Sequence, residues 1–332
     1  MELPEYVQIE PVGQCNLRCQ MCAIQFRQDG PPYGPPAFMK FETFTQLIDQ
    51  FTTLKTLHLQ GLGEPMMHPQ FFDMVRYATS KGIQVTTNSN LTLLSHHGAE
   101  QCVTSGLQAL HVSIDGATPE TYERIRVGSK FDRVVGNLKR VVEEKERRSH
   151  PYPTIQLTMV VMQQNLHELP ELIRLAHEWS VDSVFVQHLC HDFGESSLPA
   201  HYRPMREFVQ SETLLSDQPQ QIEQYFNEAR TVAKTLGVNL RLPRTEPHRH
   251  PPGTPGPQRC DWPWNGAYIS YQGYAMPCCM VSTPDRIHFG KFLDQGVEQT
   301  WNGSEYQSFR NQLASDTPPD VCRSCSLYSG TF

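Results

Sequence analysis

Three of the ten cysteines in this 332-residue chain, Cys15, Cys19 and Cys22, fall at a Cys-x3-Cys-x2-Cys spacing. Thiolates are soft ligands that select iron–sulfur or zinc. The number three is informative. A cubane cluster has four irons, so three cysteines leave one iron open to a ligand that is not protein. A structural zinc site would normally be closed by a fourth ligand. A second set lies towards the C-terminus, where Cys260 and Cys278 are followed by Cys322 and Cys325 at a Cys-x2-Cys spacing. Four thiolates are enough to close a cluster, and the same four would make a zinc ribbon.

The elements around the first set alternate. Residues 6–10, just before Cys15, read as a strand, and 41–53 as a helix with Phe44, Leu47, Ile48 and Phe51 on one face. Strands are predicted at 56–60, 83–87, 110–116, 154–162 and 181–189, and helices at 69–80, 118–126, 131–147 and 168–179. Six strand–helix units with apolar strands imply a parallel sheet, curled by right-handed crossovers. The residues with polar or conformational interest sit just after strands: Gly61-Leu62-Gly63-Glu64-Pro65, Asn88-Ser89-Asn90, Ser113 with Asp115, and Asn165. Glycines at a strand end let backbone approach a ligand closely. Asp115 equally suits a helix cap, ahead of a helix whose Pro119 stands near its first position.

Beyond residue 190 the pattern changes. Residues 192–220 read as an irregular connection or lid, 221–236 as a helix, 238–242 as a further strand, and 248–257 as a Pro/Gly loop. His248 and His250 are metal-ligand types, but this loop reads as a mobile exposed tract. Residues 268–276 alternate about Gln272-Gly273 and predict a hairpin that delivers Cys278 and Cys279.

A net charge of −7 and a pI near 6.0 argue against a general nucleic-acid binder, which needs a basic surface. No run of 18 apolar residues occurs, so no membrane span is expected. Ten cysteines without a signal-peptide pattern point to a reducing compartment and metal ligation, hence to the cytoplasm.

The Cys15–Cys22 stretch resembles the signature of the radical S-adenosylmethionine superfamily. The resemblance implies a partial (β/α)6 TIM-type barrel over 1–190, a connecting region over 191–257, and a small C-terminal iron–sulfur extension over 258–332. It also implies a catalytic [4Fe-4S] cluster on Cys15, Cys19 and Cys22, with S-adenosylmethionine on the open iron. By the same resemblance Met21 lies beside the adenine, in place of the usual aromatic residue. Gly63 and Glu64 hold the methionyl amino group, and Asn88, Ser113 and Asn165 face the cofactor. Arg126 pairs with the methionyl carboxylate, with Arg124 as the competing choice. Residues 260–325 look like the auxiliary-cluster extension called SPASM, in its shortened twitch form. That implies a second [4Fe-4S] cluster on Cys260, Cys278, Cys322 and Cys325, with Cys279 as either a replacement ligand or a free thiol. The spacing resembles that of enzymes of the 2-deoxy-scyllo-inosamine dehydrogenase type.

Three functions follow as expectations. The first is oxidation of a small sugar- or cyclitol-like molecule, with the auxiliary cluster as electron acceptor. The second is modification of a ribosomally made peptide (crosslinking, epimerisation or backbone excision) with a separate recognition partner. The third, a non-catalytic iron–sulfur or zinc protein, fits the cofactor elements poorly. A flavodoxin- or ferredoxin-type donor would supply the electron. Three cysteines are left over: Cys102, expected to be a buried small hydrophobe, and Cys190 and Cys279, either of which could return hydrogen to a substrate radical as in the superfamily's epimerases.

Overall fold

The computed structural model describes residues 1–30, 34–189, 193–215, 219–246, 248 and 250–330. The chain begins β1 (Tyr6–Ile9), α1 (Phe41–Gln50), β2 (Thr56–Leu59), α2 (Phe71–Ser80), β3 (Gln84–Ser89), α3 (His96–Thr104) and β4 (Ala109–Ser113). It continues α4 (Pro119–Ile125), α5 (Phe131–Arg148), β5 (Thr154–Val161), α6 (Leu169–Glu178) and β6 (Ser183–His188). These strands are parallel in the order β6-β5-β4-β3-β2-β1. The sheet curls but does not close, giving the open partial barrel.

Two helices, α7 (Arg203–Glu212) and α8 (Pro219–Leu236), precede β7 (Asn239–Arg241), which extends the sheet in parallel beyond β6. Two short turns, α9 (Gly256–Arg259) and α10 (Trp262–Asn265), then lead to β8 (Gly266–Ile269) and β9 (Ala275–Met276). The expected hairpin forms, antiparallel between β8 and β9. Its first strand also pairs in parallel with β1, Tyr6 opposite Gly266 and Ile9 opposite Ile269. One nine-stranded sheet therefore runs from β7 at one edge to β9 at the other. The C-terminal helices α11 (Phe292–Gln295), α12 (Val297–Trp301), α13 (Ser304–Ala314), α14 (Asp320–Arg323) and α15 (Ser326–Ser329) complete the extension.

The helices form because their apolar residues recur on one face. In α5, Val134, Leu138 and Val141 are fully buried, and each such side chain contributes roughly 1.5–3 kcal/mol. Thr118 caps α4, accepting from Thr121 N at 3.3 Å, with Pro119 in the first turn. Asp115 therefore does not perform the cap.

The strands depart from the sequence expectation in one respect. They are apolar on one face only. Leu57 and Leu59, Leu110 and Val112, Ile155 and Leu157, and Val184 and Val186 are buried under the helices. The alternate positions His58, Asn88, His111, Gln156 and Gln187 line cavities. Parallel strands in closed α/β cores are usually apolar throughout; here the barrel interior is polar.

Candidate functional site

The cysteine loop is held by its backbone. Beyond β1, the chain at Val12–Gln14 lies directly on the segment after β2. A Cβ on Gly63 would stand 2.0 Å from Val12 O, and one on Gly61 2.3 Å from Glu10 Cγ. The close approach expected of these glycines is thus to the chain entering the cysteine loop. The loop then docks on the end of α4, with Arg18 N donating to Val127 O and Gln20 N to Ile125 O, both at 2.9 Å. Leu17 N donates to Cys15 Sγ at 3.4 Å, Asn90 Nδ2 approaches the same sulfur at 3.7 Å, and an Arg126 guanidinium nitrogen lies 3.9 Å from Cys19 Sγ.

Beneath the loop is a cavity of about 210 Å³ at the carboxyl ends of the strands. It brings together Cys15, Cys19 and Cys22 with Met21, Gly63, Glu64, Asn88, Ser113 and Arg126. Burial pushes the Cys19 thiol up to about 12, and raises Cys15 and Cys22 as well. Thiolates here require a compensating cation, which an iron cluster supplies. Three clustered thiols, N–H groups facing two of the sulfurs, and an adjoining cavity fit a cluster with one open corner.

Each neighbouring side chain has a definite anchor. Glu64 Oε1 accepts from Ser89 Oγ at 2.7 Å and Met66 N at 3.1 Å, and Oε2 from Asn90 N at 2.7 Å. Burial raises its pKa against those hydrogen bonds. Arg126 ends α4 and forms a buried ion pair with Asp115, Nε to Oδ2 at 2.7 Å. Asp115 Oδ1 accepts from Val160 N at 2.7 Å. Arg124 instead lies at the surface against Gln164. Asn165 is outside the cavity lining. Its Oδ1 accepts from Met162 N, and its Nδ2 donates to the carbonyls of Asp115 and Val160, so it braces the wall that carries Arg126. Ser89 and Asn90, in the strand-end stretch marked in the sequence, also line the cavity, as do Gln60 and His188, which were not singled out. Only their nearness to strand ends could have signalled them.

The second cysteine set is built differently. Cys260 precedes α10, Cys278 and Cys279 follow β9, Cys322 lies in α14, and Cys325 caps α15. After burial, the mutual charges of Cys279, Cys325, Cys322 and Cys260 raise the Cys278 thiol further, which places the five together. Burial, then Cys325, pushes Cys279 up to about 12. None of the five lines the catalytic cavity. Cys102 is fully buried in the main core. Cys190 lies outside the described residues.

The two regions meet over the cavity. Arg286 pairs with Glu195 at 2.5 Å, both side chains buried, and Tyr202 Oη donates to Thr283 Oγ1 at 3.0 Å. Phe193 from the connecting segment and Ser282 from the extension both line the cavity. A further buried pair, Arg27 with Glu10 at 2.6 Å, ties the loop after Cys22 to the end of β1. Glu10 also accepts from Leu62 N and Tyr271 N, so it joins barrel and extension. Most described residues of the 248–257 tract are exposed, as expected, His248 among them, though its backbone touches the C-terminal turn: a Cβ on Gly330 would stand 1.8 Å from His248 O.

An open α/β barrel with an incomplete thiol set over a strand-end cavity, and a separate set of thiols in an extension, defines an iron–sulfur enzyme that works on a ligand at one cluster. Comparison with known proteins agrees. The chain belongs to the radical SAM superfamily, whose profile matches residues 9–176, and an iron–sulfur cluster-binding SPASM domain matches 260–326. It is 25% identical over 340 residues to the tungsten-containing aldehyde ferredoxin oxidoreductase cofactor-modifying protein of Pyrococcus furiosus, covering 97% of this chain and 87% of that protein. It is 25% identical over 311 residues to the AdoMet-dependent heme synthase of Methanosarcina barkeri, covering 91% and 83%. Its fold is similar to Streptococcus suis SuiB, solved bound to precursor peptide SuiA, with a TM-score of 0.70 at 14% identity over 99% of this chain and 71% of that one. The protein is an enzyme whose cofactors are a [4Fe-4S] cluster with S-adenosylmethionine and an auxiliary iron–sulfur cluster.

Proposed function

We propose that this enzyme removes a hydrogen atom from a compact polar substrate and completes a two-electron oxidation. Its cofactors, when bound, supply the 5′-deoxyadenosyl radical and an auxiliary electron acceptor. Cys15, Cys19 and Cys22 would hold the catalytic cluster, and Cys260, Cys278, Cys322 and Cys325 the auxiliary one. Arg126 would meet the methionyl carboxylate as a fixed guanidinium fork, preset by Asp115. Ser113 and Asn88 offer neutral hydrogen-bonding groups on the cavity wall. Glu64 and Gly63 set the wall opposite, and Met21 gives a polarizable surface for adenine. Phe193 and Ser282 shield the chamber from water.

The observation that carries this reading is Ser282. It lies three residues beyond Cys279, yet lines the same cavity as the first cysteine set. The segment that carries Cys278 and Cys279 thus reaches the chamber wall, which supports an electron-accepting role for the auxiliary thiols. Likeness to SuiB favours a second reading, modification of a ribosomally made peptide with a separate recognition partner. We place the enzyme in the cytoplasm, with a flavodoxin- or ferredoxin-type donor; among the described residues no helix is long and apolar enough to cross a membrane.

The test is an anaerobic assay of candidate polyols, aminocyclitols and peptides, reading 5′-deoxyadenosine and product in D2O. Oxidation consumes one S-adenosylmethionine per product and leaves no solvent deuterium at the reacting carbon. Retained deuterium that disappears in Cys279→Ala or Cys190→Ala would assign an epimerase with that thiol as hydrogen donor.

A further inference from the structure

Two more cavities adjoin the catalytic one. Tyr6, His58, Thr86, His111, Gln156 and Thr158 surround a lumen cavity of about 410 Å³ inside the barrel. It shares Asn88 and Gln187 with the catalytic cavity. An outer cavity of about 350 Å³ lies between the β6–β7 edge and the C-terminal turn, and shares Phe185, Gln187 and Arg241 with the lumen. The three adjoin one another along the inside of the sheet, and Gln187 lines all of them.

Their charges differ. The lumen histidines are held neutral, with Arg241 at the end shared with the outer cavity: burial pushes His58 down to about 3 and lowers His111, whose Nδ1 atoms lie 2.7 Å from Thr86 Oγ1 and 2.8 Å from Asn88 Oδ1. The outer cavity gathers cations and proton-binding groups: Arg241, Arg244, His248 and His250. Among the described residues no carboxylate lines either cavity, and none pairs with Arg241 or Arg244. The nearby Glu223 is engaged by Arg230 at 2.8 Å. The Arg241 guanidinium lies 5.0 Å from the Phe185 ring centre, which orients its plane at the lumen mouth.

We infer that Arg241 and Arg244 recognise an anionic group of the substrate, a carboxylate or phosphate, at the outer cavity. The neutral lumen takes the polar body, and the reacting carbon reaches the catalytic cavity. The inference rests on the proposed function only for the role of the catalytic cavity. Arg241 and Arg244 are both exposed to solvent, where an incoming anion can reach them, and an arginine fork binds carboxylate and phosphate oxygens in pairs. The spacing is a ruler. Phe185, opposite Arg241 in the sheet, is two residues from Gln187. At about 3.3 Å per residue, the Arg241 backbone stands level with a point roughly 7 Å along β6 from Gln187, which lines all three cavities. That fits a small molecule or a single acidic side chain.

The test is calorimetric titration of the reconstituted full chain at low salt with three matched pairs: glutarate and glutaramide, ribose 5-phosphate and ribose, and acetyl-Gly-Glu-Gly-amide and its Gln counterpart. At least one anion should bind about tenfold more tightly than its neutral partner, and Arg241→Gln with Arg244→Gln should reduce that preference to about threefold or less. Arg241→Lys, a point charge without the fork, should keep part of it. Whichever pair shows the largest preference identifies the source of the anion. Cys15→Ala, inert towards S-adenosylmethionine on the proposed function, should keep the preference, so the two readings fail separately. Equal binding within all three pairs, a preference that survives the double variant, or its loss in Cys15→Ala would overturn the inference. Unchanged melting of the double variant shows that the loss is not unfolding.

Discussion

The two cysteine groups of this enzyme share a ligand type and differ in almost everything else. Cys15, Cys19 and Cys22 lie within eight residues of one loop, and all three line a cavity. Cys260, Cys278, Cys322 and Cys325 span 66 residues, packed among the extension's apolar side chains, and none lines that cavity. The first group is supported from outside itself, by Asn90 at the end of β3 and Arg126 at the end of α4. The second is supported by packing, with Tyr306 donating to Met276 O and Arg310 to the carbonyls of Pro263 and Trp301. A thiol set that must leave one metal corner to a ligand needs an open wall. One that only exchanges electrons is better shut away from water, where its environment is fixed. The extension therefore serves both as the second site and, through Ser282, as part of the first site's wall.

The comparison is broken most completely by removing one group at a time. The triple substitution of Cys15, Cys19 and Cys22 by Ala should abolish S-adenosylmethionine cleavage and leave about half of roughly eight irons per chain. Cleavage is read as 5′-deoxyadenosine and iron by elemental analysis. Cys322→Ala should instead weaken substrate turnover more than uncoupled cleavage. Equal loss of both activities in a folded protein would erase the distinction between the groups.

The contact between the regions is the next place to press. Glu10→Leu removes one of the two carboxylates that pair with buried Arg27, leaving Asp29, and removes the acceptor for Leu62 N and Tyr271 N. Leaving these buried donors short of an acceptor, while Asp29 still pairs with Arg27, should cost about 1–3 kcal/mol in denaturant unfolding. A loss under about 1 kcal/mol, the range of exposed pairs, would mean that barrel and extension do not depend on this link.

A smaller effect distinguishes the polar lumen from the packed core. His58 is held down to about 3 in the folded chain, against about 6.5 when unfolded. Between those values the unfolded chain binds the extra proton, so stability is lost as pH falls below 6.5. The loss between pH 7 and pH 5 is about 1–2 kcal/mol, reduced by whatever hydration the lumen retains. His58→Gln should flatten that part of the profile. An unchanged slope in acid unfolding would show that His58 does not titrate across this range.

Much of this was legible in the sequence because it is local. The spacing of Cys15, Cys19 and Cys22 is a chain property, the shared side of Ser113 and Asp115 follows from a strand period of two, and Glu64 and Asn88 stand at predicted strand ends. The polar interior was also written there, in the alternation of Leu57-His58-Leu59 and Leu110-His111-Val112. What could not be read depends on distant partners. Gly266–Ile269 joins β1 across some 260 residues of chain. Glu10 and Arg27 have the composition of a surface pair, yet neither side chain is exposed. Asn165 has a polar head suited to a ligand and uses it on Met162, Asp115 and Val160. Nothing in a sequence says whether a hydrogen-bonding capacity is already satisfied.

The central claim is that one cluster is open to S-adenosylmethionine and the other is closed. Electron paramagnetic resonance of the anaerobically reduced protein, with and without S-adenosylmethionine, tests it directly. The wild type should show two cluster signals, of which one changes when the cofactor is added. The protein lacking Cys15, Cys19 and Cys22 should keep a single signal that does not respond. A remaining signal that shifts with S-adenosylmethionine, or a wild type in which neither signal moves, would contradict the account.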